Sequence, residues 1–324
     1  MEITFAEALN QAMSEEMERD EKVFLMGEDV ALSEISPATA GLSESFGTER
    51  VRNTPISELG FTGAAVGAAM AGYRPILDMR RIDFMMLSID QIANQAAKLR
   101  YMLGGQVSIP LVIRAPEGGG VQNGPTHSQC LESWFLQVPG LRVVVPSGPK
   151  DAKGLLKTSI RDDNPVLFVE YRQLYSNKED VQEGDYTIPF SSASTKKEGK
   201  DVTLIGLGSQ VGNCMSAAVE LEKIGISAEV MDPRTISPLD VDGLSASVVK
   251  TGNCVIVEEG HKHGGVGAEI LSSIQSKCFS SLKAPIERVA ALDVPIPVQT
   301  KLEKIVLPNS EKIIAAAKTV LNYS

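Results

Sequence analysis

The stretch Arg52-Asn-Thr-Pro-Ile-Ser-Glu-Leu-Gly-Phe-Thr-Gly-Ala-Ala-Val-Gly67 is the clearest structural signal in this chain. Alanine and glycine dominate it after Phe61, which predicts a tightly packed helix over residues 61 to 71. The apolar run Pro75 to Met79 follows and predicts a strand. The stretch also places one carboxyl group, that of Glu58, just before the helix. A helix that leads into an apolar strand indicates a parallel sheet, here with a candidate functional acid at its edge.

The same alternation of apolar strands and helices extends in both directions from this unit. A capping box, Thr4-Phe-Ala-Glu7, predicts a helix that runs to about Arg19. The other elements predicted for this half are strands at Val23 to Met26, Ile109 to Arg114, Leu141 to Val145 and Val166 to Glu170, and helices at Ile89 to Met102 and Asp151 to Arg161. Short apolar strands separated by helices predict a parallel sheet with both faces buried.

A second unit of the same kind follows a polar segment. The residues from Leu174 to Lys200 are mostly polar and charged, which is typical of a linker. Beyond it the chain predicts strands at Val202 to Gly206, Ser227 to Met231 and Cys254 to Glu258, and a helix at Val211 to Ile224. We therefore predict an α/β protein with two parallel-sheet domains, residues 1–180 and 201–324, joined by a linker over residues 181–200. Gly206-Leu-Gly208 lacks the spacing of a dinucleotide fingerprint.

Composition narrows the functional classes. With 324 residues and 43% hydrophobic content, the chain can bury two cores. A formal charge of -10 argues against binding to duplex nucleic acid, which requires clustered basic residues. The four cysteines are widely spaced, which favours reduced core thiols over a zinc site or a disulfide framework. The acidic first helix is unlike a targeting peptide, and no apolar run could span a bilayer, so we expect a cytoplasmic protein.

Several residues fall at the predicted carboxyl ends of the strands, where parallel sheets bind ligands. They are Glu28, Glu58, Phe84 and His127, the last within a glycine-rich loop over residues 118–129. Each has a purely structural alternative. A carboxylate at a helix start complements the helix dipole, an aromatic ring usually belongs to the core, and a lone histidine is usually structural.

Glu58 has unusual neighbours for an acid at a helix entrance. It lies between Pro55-Ile56 and Leu59-Gly60-Phe61, which together predict an apolar cradle. Such surroundings favour the neutral form of a carboxyl group, which can share a proton with a ring nitrogen.

The tract that contains Glu58 resembles the cofactor-activating segment of thiamine diphosphate enzymes. More specifically, almost the whole chain is similar to the β subunit of the E1 component of 2-oxo acid dehydrogenase complexes, including Arg234-Thr-Ile-Ser-Pro-Leu-Asp240 and Glu258-Glu-Gly-His261. The resemblance implies a transketolase-like fold, with a pyrimidine-binding domain followed by a domain for assembly. It also implies that Glu58 hydrogen-bonds N1′ of the cofactor's aminopyrimidine ring.

The resemblance implies further cofactor contacts from Ile56, Phe84 and Leu87. Phe84, in Asp83-Phe-Met-Met86, matches the family position whose ring stacks on the pyrimidine. Leu87 departs from the pattern, because the pyruvate enzyme of animal mitochondria has Gln there. Glu28 matches a second buried acid that helps to pass protons between paired active sites. The alternative for Glu28 is a carboxylate at a strand end that backbone amides satisfy.

His127 matches the histidine of the family's His-Ser-Gln segment. The resemblance places it near the cofactor, where it binds the substrate carboxylate or interacts with the incoming lipoyl group. The preceding Gly124-Pro-Thr126 departs from the Ala-Gln of many members and looks more like the loop of transketolase-type enzymes. The other two histidines, in His261-Lys-His263, are spaced for a solvent-facing turn rather than a metal site.

Ile160-Arg-Asp-Asp-Asn-Pro165 resembles the potassium loop of this family. The implied ligands are Leu111, Ser159, Ile160, Asp162 and Asn164. Backbone and side-chain oxygens suit a hard cation such as K+. The alternative is that the polar residues simply turn a helix into the strand that follows Pro165.

The chain lacks the other half of a thiamine diphosphate site. The Gly-Asp-Gly motif with a later Asn-Asn pair, which holds the diphosphate through Mg2+, is absent, and so is a phosphate-binding loop of the Walker type. The resemblance therefore implies that a separate α chain holds Mg2+ and the diphosphate. The expected assembly is an α2β2 heterotetramer that delivers its acyl group to a lipoyl-bearing E2 acyltransferase.

The sequence thus predicts the E1 β subunit of a 2-oxo acid dehydrogenase, most simply one that decarboxylates pyruvate and acylates lipoyl-E2. Two related functions remain open, namely the β subunit of an acetoin dehydrogenase and that of a branched-chain 2-oxo acid dehydrogenase. A function of another class is a catalytically silent paralogue that serves as a scaffold; the presence of Glu58 and His127 speaks against it.

Overall fold

The computed structural model describes residues 1–32 and 36–323. It divides into two compact units, of which the first comprises Met1–Glu117 with Trp134–Pro189 and the second comprises Gly118–Ser133 with Phe190–Ser324. Within the described residues, every helix is too short or too polar to cross a bilayer. The glycine-rich loop is therefore part of the second unit, although its sequence position lies within the first.

The first unit is built on a parallel sheet. Its elements are β1 (Glu2–Thr4), α1 (Phe5–Arg19), β2 (Val23–Gly27), α2 (Leu42–Phe46), β3 (Val51–Asn53), α3 (Glu58–Met70), β4 (Arg74–Asp78), α4 (Ala97–Met102), β5 (Val112–Glu117), β6 (Arg142–Val144), α6 (Pro149–Arg161), β7 (Val166–Tyr171) and β8 (Lys178–Asp180), with a short helix α5 (Glu132–Phe135) at the crossing between the units. Strands β2 to β7 pair in parallel in the order β6-β7-β5-β4-β2-β3. Because these strands are parallel, the carboxyl ends of β2, β4, β5 and β7 lie along the same edge of the sheet.

Local sequence signals explain several of these elements. Thr4 caps α1 and Glu7 returns the bond to the Thr4 backbone, so the predicted capping box is confirmed. The face of α1 that carries Phe5, Leu9 and Met13 is fully buried. The strands β5 and β7 are buried along their whole length, as expected for central strands of a parallel sheet.

The second unit has its own sheet. Its elements are β9 (Ser194–Lys197), β10 (Val202–Gly206), α7 (Gln210–Glu222), β11 (Ala228–Asp232), β12 (Thr235–Ser237), α8 (Val241–Thr251), β13 (Cys254–His261), α9 (Val266–Cys278), β14 (Glu287–Ala291), α10 (Thr300–Val306) and α11 (Ser310–Leu321). Five strands pair in the order β14-β13-β10-β11-β9, and only β9 is antiparallel to its neighbour. Helices α7 and α11 pack on one side and contribute to a buried aliphatic core.

Several elements differ from the sequence prediction. Helix α3 begins at Glu58 rather than at Phe61, and β5 spans Val112–Glu117 rather than residues 109–114. The segment expected as one helix over residues 89–102 contains a π-helix, Gln91–Ala96, that continues into α4. The expected linker includes β9, which forms the edge of the second sheet through antiparallel pairing with β11. The polar composition of β9 is consistent with its position, since an edge strand has one side free to meet solvent.

Candidate active site

Glu58 is the first residue of α3 and is only 7% exposed. A carboxyl group at this position lies next to the unsatisfied backbone amides of a helix start. Within the described parts of the chain, no hydrogen bond to the Glu58 carboxylate is formed. Glu58 is therefore a nearly buried acid whose carboxyl oxygens accept no hydrogen bond from another described residue.

The prediction that apolar neighbours in sequence enclose Glu58 is wrong for most of those residues. Pro55 is exposed, Ile56 is 75% exposed and Leu59 is 51% exposed, whereas Phe61 is buried. Successive residues at a helix start point in different directions, so neighbours in sequence need not cover one another's side chains. These exposed side chains instead form an apolar surface beside Glu58.

Glu28 follows β2 directly and lies close enough to Glu58 for their charges to interact. Burial raises the pKa of Glu28 above its usual range, and the negative charges of Asp29 and Glu58 raise it further, while Arg80 opposes them. Gly27 allows this close arrangement, because a Cβ added to it would lie 2.4 Å from the carbonyl oxygen of Asp78 in β4. The two predicted acids are thus brought together at the carboxyl ends of adjacent strands.

Phe84 and Leu87 lie in a 3₁₀ helix, Ile82–Ser88, that follows β4 and packs against α3. Phe84 is half-buried, and Leu87 is 62% exposed. Met86 next to Leu87 is also exposed. The predicted cofactor contacts therefore share the neighbourhood of α3, and a ring that lay against Leu87 would cover apolar surface.

His127 belongs to the second unit and is partly exposed. Its backbone amide donates to the carbonyl of Gly124 at 3.2 Å, and its Nδ1 lies 2.9 Å from Oγ1 of Thr126. The backbone turn from Gly124, which has a φ of +76°, thus sets the position of the imidazole. The other two histidines have different surroundings. Nε2 of His261 lies 3.0 Å from the carbonyl oxygen of Val294, whereas His263 is exposed.

The residues expected to bind potassium already have hydrogen-bond partners. The carbonyl oxygens of Ile160 and Asp162 accept hydrogen bonds from Nη1 of Arg74 at 3.0 and 3.1 Å. Oδ1 of Asn164 accepts one from Arg100 at 2.8 Å. Ser159 lies in the last turn of α6, and Leu111 immediately precedes β5. The guanidinium groups of Arg74 and Arg100 therefore hold this turn in place, which agrees with the alternative that the polar residues only turn the chain. The binding of potassium is not tested by these contacts.

Known proteins resemble this chain over its whole length. Residues 1–178 match the transketolase pyrimidine-binding domain, and residues 191–313 match the transketolase C-terminal domain. The pyruvate dehydrogenase E1 component subunit beta of Rickettsia felis is 48% identical over 100% of both chains. The mitochondrial protein of that name from Dictyostelium discoideum is 46% identical, over 98% of this chain and 91% of its own length. This chain belongs to the family of pyruvate dehydrogenase E1 β subunits.

The family assignment confirms the resemblance and the fold class predicted from the sequence. A solved structure described as a split-gene transketolase, inactive β4 tetramer, has the same fold, with a TM-score of 0.80, 24% identity and 98% coverage of both chains. At this identity the likeness supports the fold alone. The roles of individual residues in this E1 β chain stay predictions.

Sequence reasoning did not identify three charged residues of this E1 β chain that act on the predicted site. Arg80, with a φ of +58°, interacts electrostatically with Glu28. Glu259 and Glu303 accept backbone hydrogen bonds from the loop that carries His127. The sequence does contain a signal for Glu259, because the acid pair Glu258-Glu259 lies at the end of an apolar strand, and ligand sites form at the carboxyl ends of such strands.

Proposed function

We propose that this chain is the β subunit of a thiamine diphosphate-dependent pyruvate dehydrogenase E1, active only together with an α chain. One observation carries the proposal, namely a nearly buried Glu58 at the start of α3, with Glu28 beside it and with no hydrogen bond to its carboxyl oxygens from the other described residues. The sequence identity to named E1 β subunits supports pyruvate as the substrate.

The residues present fit the aminopyrimidine half of thiamine diphosphate. Glu58 offers a carboxyl group for a hydrogen bond to a ring nitrogen, and the side chains of Ile56, Phe84 and Leu87 offer apolar surface for the ring. When bound, the cofactor supplies the carbon nucleophile that attacks the 2-oxo group. Glu58 would hold a proton at the ring nitrogen and orient the ring toward the substrate.

Two other residues have proposed roles next to the cofactor. Glu28, whose pKa is raised by burial, can hold a proton at neutral pH more readily than an exposed glutamate and pass it along the pair that it forms with Glu58. His127 would bind the substrate carboxylate or interact with the lipoyl group. The diphosphate and its Mg2+ would be held by the α chain, in an α2β2 heterotetramer.

The exposed apolar surface around Ile56, Leu59 and Leu87 supports an α partner in this neighbourhood. Apolar side chains left exposed beside a polar site are typical of surfaces that a second chain covers.

Lipoyl-bearing E2 is the proposed acyl acceptor. The cytoplasm remains the predicted location, and the Dictyostelium relative is named mitochondrial.

Potassium remains a proposal for the loop from Ser159 to Asn164. A carbonyl oxygen has two lone pairs, so the hydrogen bonds from Arg74 leave one on Ile160 and one on Asp162 for a cation. Thermal unfolding in KCl and in NaCl at equal ionic strength tests it. A higher midpoint in KCl supports a bound K+, and equal midpoints reject it.

Co-expression with an E1 α chain tests the proposed function. The assembled protein is assayed with thiamine diphosphate, Mg2+ and an artificial electron acceptor on pyruvate, branched 2-oxo acids and acetoin. Turnover of pyruvate that requires both chains and the cofactor supports the proposal. Turnover of acetoin or of branched acids alone assigns a related function, and absence of cofactor binding indicates a scaffold.

Glu58→Gln tests the proposed chemistry directly. The amide cannot exchange a proton with the ring nitrogen, so we expect kcat to fall by about 10²- to 10⁴-fold while the heterotetramer still assembles. Glu311→Gln is the matched control, because Glu311 also lies in the first turn of a helix. A Glu58→Gln enzyme with the kcat of the control would leave Glu58 with a helix-dipole role alone.

A further inference from the structure

The glycine-rich loop that carries His127 is held by two carboxylates of the second unit. The backbone amide of Gly119 donates to Oε1 of Glu259 at 2.6 Å. The amide of Gly120 donates to Oε1 of Glu303 at 2.7 Å, and that of Gln122 lies 3.4 Å from the same oxygen. Both glutamates are 2% exposed. Backbone amides bonded to buried carboxylates form strong, charge-assisted contacts.

Glu259 lies where an open α/β sheet usually binds its ligand. It belongs to β13, which pairs with β10, and the residues that follow β10 begin α7. The second oxygen of Glu259 accepts from Oγ of Ser209 at 2.6 Å and from Nε2 of Gln210 at 3.1 Å. The crevice at the carboxyl ends of these strands is a common ligand site in such folds. Here its polar groups bind the chain's own loop.

The segment that carries Glu303 also fits the loop sterically. A Cβ on Gly119 would lie 3.1 Å from Cδ1 of Leu307, and one on Gly124 would lie 2.7 Å from Cγ2 of Val298. Gly124 also has a φ of +76°, which side-chain-bearing residues rarely adopt. The loop therefore approaches this segment as closely as glycine permits, which explains its composition.

We propose that Glu259 and Glu303 are positioning residues that fix the loop and thereby the imidazole of His127. The two hydrogen bonds act on Gly119 and Gly120, and the loop then turns at Gly124 into the His127 backbone. Neither glutamate touches the reacting atoms in this scheme. The catalytic consequence rests on the proposed function, whereas the anchoring of the loop does not.

Hydrogen–deuterium exchange on the assembled α2β2 protein tests the anchoring. In Glu303→Ala the amide of Gly120 loses its acceptor, so peptides that cover residues 118–129 should exchange faster than in the wild type. Glu303→Gln keeps an amide oxygen as acceptor and should stay close to the wild type. Unchanged exchange in Glu303→Ala, or equal acceleration in both variants, would overturn the anchoring.

A neighbouring acid provides the control for loss of a buried charge. Glu258 is 1% exposed and lies beside Glu259, but it accepts from the amide of Gly267 at 2.9 Å and from Arg288. Burial raises the pKa of Glu258, so a neutral Gln is the mildest replacement. Glu258→Gln should leave exchange of residues 118–129 unchanged, and acceleration there would show that the loop responds to any loss of charge in this sheet.

Steady-state kinetics test the effect on His127. Glu303→Ala and Glu259→Ala should lower kcat by about 10- to 100-fold, as expected when a functional group is displaced by about 1 Å, without changing the KM for thiamine diphosphate. Glu303→Gln should restore kcat. Faster exchange with wild-type kcat would overturn the positioning role. A wild-type enzyme with no turnover would refute the proposed function, and exchange would still decide the anchoring.

Discussion

The guanidinium of Arg114 in β5 forms a paired hydrogen bond with the carboxylate of Glu170 in β7, with Nε–Oε1 at 2.6 Å and Nη2–Oε2 at 2.9 Å. Its Nη1 also donates to Asp78 at the end of β4 at 3.0 Å. Tyr175 completes the group by donating to Glu170 at 2.5 Å. Arg114 and Glu170 are fully buried. One charged network therefore joins three strands at the edge of the sheet where Glu28 and Glu58 lie.

Arg114→Met should destabilise the protein severely. The substitution leaves the carboxylates of Asp78 and Glu170 buried without their cation, and breaking such a pair costs about 3–5 kcal/mol. Urea unfolding at pH 7 measures the loss. Arg52→Met is the matched control, because the Arg52 side chain is 54% exposed and its pair with Glu49 should contribute less than about 1 kcal/mol. Equal losses in the two variants would contradict the importance of the buried network.

Gly27→Ala should impair catalysis. The added Cβ would lie 2.4 Å from the carbonyl oxygen of Asp78, so β2 must move away from β4 and carry Glu28 with it. A displacement of about 1 Å is expected to lower kcat by about 10- to 100-fold. Gly47→Ala is the control, with a φ of +76° and no atom within 4 Å of the added Cβ, and it should leave kcat unchanged. The kcat values of the two variants, each assembled with the α chain, test this prediction, and equal values would contradict it.

The buried cysteines should resist thiol reagents. Cys214 and Cys254 are buried and unpaired, and burial raises the pKa of both thiols, so little thiolate forms at pH 8. Iodoacetamide followed by mass spectrometry should label neither residue in the native protein and both in urea. Cys130 is partly exposed and provides the internal comparison. Native labelling of Cys214 at the rate of Cys130 would contradict the tight packing of the second core.

Local patterns predicted the framework because they act through near neighbours. The capping box at Thr4 and the apolar strand at Val202–Gly206 depend on residues within one element, and both are found where the sequence indicates them. The closeness of Glu28 and Glu58 was also predictable, since parallel strands end at a common edge.

Long-range contacts account for what the sequence did not predict. Residues 118–133 belong to the second unit, where Glu259 and Glu303 bind the loop although they are distant from it in sequence. The exposure of Ile56 and Leu59 is a similar case, because a sequence gives the polarity of neighbours but not the directions in which their side chains point.

Glu28→Gln should make the protein more stable at high pH and less active. Because burial raises the pKa of Glu28 in the folded state, the folded protein binds its proton more tightly than the unfolded chain does. Stability therefore falls as pH rises from the unfolded pKa through the folded pKa, and the cost of the partly buried charge is fully present above both. Gln carries no charge and avoids this cost.

The urea midpoints of wild type and Glu28→Gln, measured from pH 8 down to pH 4.5, check this sign. The variant should have the higher midpoint at pH 8, and the difference should shrink as the wild-type carboxyl group takes up its proton. Glu44→Gln, which replaces an exposed acid on α2, is the control. The opposite result would be a variant whose midpoint, relative to that of the wild type, is lower at pH 8 than at pH 5. The surroundings would then stabilise the ionised carboxylate, and Glu28 would be a structural acid rather than a proton carrier.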